Sequence, residues 1–300
     1  MAAAKESKLA EVTVPEVAIK PKKSGSRLDF STLFGIAIAL GGIVGGLILE
    51  KGNIQDLTQG TAAMIVFGGT LGAVMVTTPM SIVLRAVRGA RQVFFEPAVD
   101  TAETIERLIQ YATQARKQGI VSLEDEAAAI EDPYIRKALA LAVDGTDLQE
   151  LRKMMDLDTA LAEHHAEAEA KVWEAAGGYA PTIGIIGAVM GLIQVMKHLE
   201  DIKEVGHGIA VAFVATVYGV GAANILFLPA ANKLRTRMHQ ASIRKDMILE
   251  GVTAIVEGMN PTLIRLKLEP YRQHAPVVAR KSERPGARQL ESIPAKENGK

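Results

Sequence analysis

Any chemistry in this 300-residue chain has to come from hydroxyls and prolines set in apolar surroundings. Thr182, Thr216, Tyr218 and Asn224 lie in stretches without Asp, Glu, Lys or Arg, and Pro181 and Pro229 lie beside them. A Thr hydroxyl both donates and accepts, so it can relay a proton or coordinate an ion through water. A proline removes one backbone hydrogen bond and makes a kink or hinge. The same residues have a plainer reading, in which Thr and Asn bond their own helix backbone and the prolines only bend it. Residue type alone favours that plainer reading. Ion carriers usually place an ionisable group near the bilayer midplane, and these stretches have none. If the chain moves ions, the titrating carboxylate has to come from a partner.

Other chemistries are weakly supported. His164-His165 with Glu163 and Glu167 lacks the His-Glu-x-x-His order of a zinc protease. Gly219-Val-Gly221 lacks the third glycine and the strand–turn–helix setting of a dinucleotide site. There is no P-loop sequence to bind ATP. The absence of cysteine excludes disulfides, thiolate catalysis and Cys-ligated metals. No cofactor, metal or enzyme activity is expected.

The elements that carry these residues are membrane helices. The chain is 48% hydrophobic with 4% aromatics and 27 glycines, and its mean hydropathy is +0.16. Lys+Arg and Asp+Glu are both 34, which gives no basic excess for nucleic acid. Residues 30–49, 57–84, 175–196 and 205–232 are free of charged residues, apart from His207. Crossing ~30 Å of hydrocarbon takes about 20 helical residues, so four spans are predicted near 30–49, 60–82, 180–198 and 208–230. Gly41, Gly42, Gly45 and Gly46 form overlapping small-xxx-small pairs, as do Gly68 with Gly72 and Gly187 with Gly191. Such pairs let helices approach closely, within one chain or between copies; sequence leaves both open.

Basic residues set the orientation. Lys22, Lys23 and Arg27 precede the first span, Arg85, Arg88 and Arg91 follow the second, and Lys233, Arg235 and Arg237 follow the fourth. Both termini and the central segment are therefore expected in the cytoplasm. Residues 1–27 show no secretion signal and read as a disordered extension. Residues 28–84 hold the first two spans, 85–176 a cytoplasmic helical domain, and 177–231 the last two spans. Residues 232–274 are a cytoplasmic helical extension, and 275–300 read as a disordered tail. Within 85–176, Gly119 and Gly145 are expected to end helices, Asp132-Pro133 to start one, and Ser122/Asp125 and Thr146/Gln149 to form capping boxes. Gly177-Gly178 and Pro181 are expected to mark entry to the third span. Gly258, Asn260 and Pro261 are expected to stop the fourth helix.

Three segments together carry a resemblance to a known family. The segment Ala180-Pro-Thr-Ile-Gly-Ile-Ile-Gly-Ala-Val-Met-Gly-Leu192 resembles the third helix of MotA/PomA flagellar stator A-subunits. The run from Gly208 through Thr216, Tyr218, Gly219 and Gly221 to Pro229 resembles their fourth helix. Arg116-Lys-Gln-Gly119 followed by Ser122-Leu-Glu124 is similar to their rotor-facing segment. The resemblance covers about residues 28–272.

That resemblance implies an all-α integral membrane protein with four spans and a helical cytoplasmic domain, assembled as a pentameric ring in the bacterial inner membrane. The ring surrounds a dimer of a single-span MotB/PomB-like B-subunit, which supplies an ionisable Asp and binds peptidoglycan outside. It implies an ion path along Thr182, Thr216, Ala188 and Tyr218, conformational coupling at Pro181 and Pro229, and contacts to the rotor protein FliG at Arg116 and Glu124. Sodium-type relatives resemble this chain but carry Thr at the position of Ala188 and a Thr pair at Ala215-Thr216, so the coupling ion is expected to be the proton. Two readings compete: an ExbB/TolQ-like energiser of outer-membrane processes, against which four spans argue, and a non-conducting scaffold.

Overall fold

A computed structural model describes residues 26–97 and 100–273. The expected extension over residues 1–25 and the tail at 275–300 lie outside the described residues. Ser26 and Arg27, expected in the extension, instead belong to a short strand.

Among the described residues, four helices are long and apolar enough to cross a membrane. The first, α1 (Phe30–Leu49), starts where Asp29 accepts from the backbone N–H of Ser31 and Thr32 at 3.1 and 3.3 Å. This satisfies two amides that a helix start otherwise leaves open. The second span is built from α2 (Gly60–Ala63), a π-helical segment Met64–Gly68, and α3 (Gly69–Thr77). It ends at Thr77, short of the expected residue 82. Pro79 pushes Thr78 into an extended conformation, φ −133° and ψ 132°, and a new helix, α4 (Met80–Gly89), begins after it. A single turn, α5 (Arg91–Phe94), leads into strand β2 (Phe95–Pro97). β2 pairs antiparallel with β1 (Ser26–Leu28), Leu28 opposite Phe95. This ribbon has no helical or alternating pattern to announce it.

Outside the spans lies a helical bundle of α6 (Thr101–Gln118), α7 (Glu124–Ala129) and α8 (Pro133–Val143), with the first turns of α9 (Leu148–Lys197). Asp132 accepts from the amides of Tyr134 and Ile135, capping α8 as its pairing with Pro133 predicts. Neither expected capping box forms. The Ser122 hydroxyl donates back to the Gly119 carbonyl at 2.7 Å inside a 3-10 turn, Ile120–Leu123. Asp147, not Thr146, caps α9 by accepting from the Gln149 amide at 2.8 Å.

The two long helices join bundle to membrane. α9 has 50 residues and is therefore about 75 Å long. It runs unbroken through Gly177, Gly178 and Pro181, which were expected to mark entry to the third span, so cytoplasmic helix and span are one element. The helix that carries the fourth span starts at Ile202, ahead of the expected 208 and of the charge-free run over 205–232. It comprises α10 (Ile202–Gly221), a π-helical segment Ala222–Phe227 and α11 (Leu228–Val256). Gly258, at φ 69°, follows its end. A last helix, α12 (Pro261–Gln273), folds back onto the bundle. Leu108, Leu123, Leu139, Leu151, Met155, Met247, Ile248, Ile264 and Leu268 form its closed core.

The glycines sort themselves by contact. A Cβ on Gly184 would lie 2.8 Å from the Ala215 carbonyl oxygen, and one on Gly219 would lie 2.5 Å from that of Ala180. Gly187 and Gly191 press on Ala215, Gly208 and Ala212 in the same way. These are intrachain contacts between α9 and α10. By contrast, Gly41, Gly42, Gly45, Gly46, Gly68 and Gly72 meet nothing within 4 Å. Their small-residue faces are open in the single chain.

Gly219→Ala should therefore force α9 and α10 apart at a cost of about 1–3 kcal/mol, lowering the melting temperature of the purified protein in detergent. Gly68→Ala, made in open space, should leave that temperature unchanged. Equal effects would mean that the two helices do not meet at Gly219.

Candidate functional site

The candidate ion-path residues gather at the tightest crossing of α9 and α10. Pro181 and Thr182 sit between Ala180 and Gly184, whose backbones press on Ala215 and Gly219. Thr216 and Tyr218 lie between those two. Hydroxyl-bearing residues therefore flank the point where backbones approach most closely, which small residues alone permit.

The hydroxyls are engaged. Thr182 Oγ1 donates to the Tyr179 carbonyl at 2.8 Å, and Thr216 Oγ1 to the Ala212 carbonyl at 3.3 Å. Asn224 Nδ2 donates to the Val220 carbonyl at 2.9 Å. Each bond stays within its own helix, the arrangement the residue types favoured. A Thr donating to its own backbone still offers oxygen lone pairs, and Thr182 is exposed while Thr216 is half-buried. Ala188 is half-buried and Ala215 fully buried; neither brings an oxygen. Tyr218 works differently. Its hydroxyl donates to the Leu57 carbonyl at 2.5 Å and accepts from the Gln59 amide at 3.4 Å. It ties the connection between the first two spans to the fourth.

The two prolines sit in register. Pro181 has no N–H, so the carbonyl of Gly177 loses its α-helical donor. Gly177 packs directly on Leu228, the residue before Pro229: a Cβ there would lie 2.6 Å from Leu228 Cδ2 and 3.5 Å from its backbone nitrogen. Pro229 in turn follows the π-helical segment, and such bulges accommodate a missing hydrogen bond by widening the turn. The weak point of each long helix thus abuts that of the other.

Arg116 and Glu124 lie far along the chain from this crossing, at the end of the bundle where Gly119, Gly145 and Gly258, all at positive φ, end α6, α8 and α11. Both are exposed, and neither forms an ion pair among the described residues. Arg116 lines a cleft of about 350 Å³ with Ile120, Gly145, Thr146 and Met259. Glu124 opens the acidic first turn of α7 with Asp125 and Glu126, where carboxylates favour the helix dipole. Among the described residues no cluster of His, Asp and Glu could hold a metal.

One polar centre had no forerunner in the residue types considered above. Asp29 is 7% exposed and binds Lys233 Nζ at 2.5 Å and Arg237 Nη2 at 2.8 Å. Arg237 also donates to the Phe95 carbonyl in β2, and the Asp29 amide donates to the Phe94 carbonyl at 2.8 Å. Burial on its own would raise the Asp29 carboxyl pKa. The hydrogen bonds from Lys233, Ser31 and Thr32 outweigh it and hold the group well below the carboxylate range. An Asp immediately before an apolar run is the pattern that could have pointed to the helix cap; nothing local marks cations more than 200 residues away.

Tyr218→Phe should remove the tie to Leu57 and cost about 1 kcal/mol, read as a lower melting temperature, while ion flux through the assembled protein stays at its original level. Abolished flux with unchanged melting would assign the hydroxyl to the ion path instead.

Comparison with known proteins agrees with this geometry. Residues 33–119 match the family described as Motility protein A N-terminal, and residues 126–247 match the MotA/TolQ/ExbB proton channel family. Motility protein A of Helicobacter pylori is 36% identical over 244 residues, covering 81% of this chain and 95% of the relative. The MotAB structure from C. jejuni superposes with a TM-score of 0.78 at 33% identity, covering 81% of this chain and 96% of that one. The flagellar MotAB stator complex from Bacillus subtilis gives 0.75 at the same identity. With four spans, an engaged α9–α10 crossing and relatives matched along nearly their whole length, the chain belongs to the MotA/TolQ/ExbB proton channel family, among its motility protein A members.

Proposed function

We propose that this chain is the A-subunit of a flagellar stator that couples proton flow across the inner membrane to rotation. The observation that carries the reading is that four spans with a close-packed polar crossing contain no carboxylate. A proton path of this kind needs a titrating group, so a partner has to supply it. The solved relatives are MotAB complexes, which supports a MotB-type B-subunit carrying an Asp in its single span. Five copies of this chain would form the ring around a dimer of that partner. The open glycine faces of α1 and α3 and the apolar outer faces of α9 and α10 are compatible with such packing.

Both termini and the helical bundle lie in the cytoplasm on this reading, supported by the basic residues that flank the inner ends of the spans. Arg116 and Glu124 then face the rotor protein FliG, without an ion-pair partner among the described residues and able to pair across the interface. An ExbB/TolQ-like energiser is disfavoured by the four spans and by the motility-specific match over residues 33–119.

The coupling ion follows from ligand count. Sodium sheds its water only for several close oxygens, whereas a proton needs a carboxylate and a water chain. Ala188 and Ala215 contribute no oxygen, and Ala215 is packed against Gly187. Thr182 and Thr216 remain. Rotation driven by the reconstituted stator should persist when sodium is removed at fixed proton-motive force and collapse under a protonophore. Loss of rotation without sodium would reverse the ion assignment.

Arg116→Glu should reduce swimming more than Arg116→Ala, because reversal adds repulsion to the loss of attraction, each worth under about 1 kcal/mol at an exposed site. A rotor variant of opposite charge should partly restore it. Equal losses without restoration would give Arg116 a packing role.

A further inference from the structure

Between its two ends, α1 has almost no hold on the protein. None of its residues is buried. A slot of about 360 Å³, lined by Gly35, Ile36 and Ala39 on one side and by Leu226, Pro229 and Ala230 on the other, separates it from the fourth span. Two polar ties run from the flanks of α1 to the fourth span, beside the Asp29 amide bond to Phe94 and the β1–β2 ribbon. Beyond its outer end, the Leu57 carbonyl accepts from Tyr218. At its inner end, Asp29 is gripped by Lys233 and Arg237. Tyr218 lies before the π-helical segment and Pro229; Lys233 and Arg237 lie one and two turns after them, on one face of α11. α1 therefore bridges the weak point of the fourth span as a strut, fixed above and below it.

We infer that Asp29 is a positioning residue for the coupling motion: through Lys233 and Arg237 it anchors α1 as a strut across the Pro229 joint, and so sets how the fourth span bends there. The inner tie is the stronger of the two. It is buried, has two cationic partners, and is backed by the β1–β2 ribbon and the bond from Arg237 to Phe95. The Asp29 carboxylate also caps α1, and the two roles separate chemically. Asn is as good a cap as Asp but carries no charge. Asp29→Asn thus keeps the helix start and removes the ion pair alone.

The inference rests on the stator reading, and the experiment distinguishes their failures. In a motile cell lacking its own stators, this chain and its B-subunit partner are induced while the speed of a bead on one flagellum is recorded. Each incorporated unit gives one upward step; step height reports torque per unit and step number reports assembly. If the unaltered chain gives no steps, the stator reading fails, whatever Asp29 does. With steps present, Asp29→Asn should lower their height at least two-fold, and Asp29→Glu should restore most of it. The triple change Asp29→Asn, Lys233→Met and Arg237→Met should stay low, because the tie is still missing although no cation is stranded. Full step height in Asp29→Asn would overturn the inference, whether or not fewer steps occur. Recovery in the triple variant would also overturn it, since the loss would then come from unpaired charge. If Asp29→Asn gives no steps, Lys233→Met and Arg237→Met singly supply the step height; failure of all three to incorporate would reduce Asp29 to an assembly contact and overturn the inference as well.

Discussion

Hydrocarbon does not tolerate a lone charge, and every Asp, Glu, Lys and Arg of this chain lies outside the apolar runs 30–49, 57–84, 175–196 and 205–232 that cross it. Much of the architecture answers that constraint. Without charged or large polar side chains to bind one span to another, α9 and α10 meet through backbone contact at Gly184, Gly187, Gly191 and Gly219. Among the described residues, the ion pairs lie on the bundle side of the spans. There, Asp29 binds Lys233 and Arg237, and Arg235 bridges Glu167 and Glu174. On the proposed reading, the constraint also places the ion-binding group on a second protein, apart from the moving parts.

Continuity of the long helices links the two halves of the molecule. α9 carries Pro181 at membrane depth and Leu151 and Met155 in the closed core of the bundle. α11 carries Pro229 at one end and Met247, Ile248 and Val252 at the other. A bend at either proline therefore has a rigid lever attached to it. Because Gly177 packs on Leu228, the joints of both levers lie side by side. On the proposed reading, a change of charge on a partner's carboxylate at the α9–α10 crossing would have a short route to both.

Much of this was legible in the sequence, and what was missed has physical causes. Charge-free runs located the four spans because hydrocarbon excludes charge over a fixed length. The end of the second span at Thr77 was overrun because residues 78–84 are also uncharged; only Pro79 marked the stop. The unbroken α9 was hidden by Gly177-Gly178, which locally disfavours helix, while the contact of Gly177 with Leu228 repays it. Thr146 lost the cap to its neighbour Asp147, a choice that local pattern does not decide. Asp29's partners and the tie from Tyr218 to Leu57 are long-range, and no periodicity records them. The family resemblance pointed to Thr182, Thr216, Pro181 and Pro229; what the fold adds is that they converge on one crossing and one pair of joints.

Central to this account is the division of labour, in which this chain supplies the walls and the levers and a partner supplies the acid. Proton flux into proteoliposomes under an imposed potential tests it most directly. The purified chain alone should carry no flux above that of empty vesicles. The complex with its B-subunit should carry flux, and the same complex with the partner's membrane Asp changed to Asn should carry none. Proton flux by this chain alone, or flux that survives removal of the partner's carboxylate, would contradict the account.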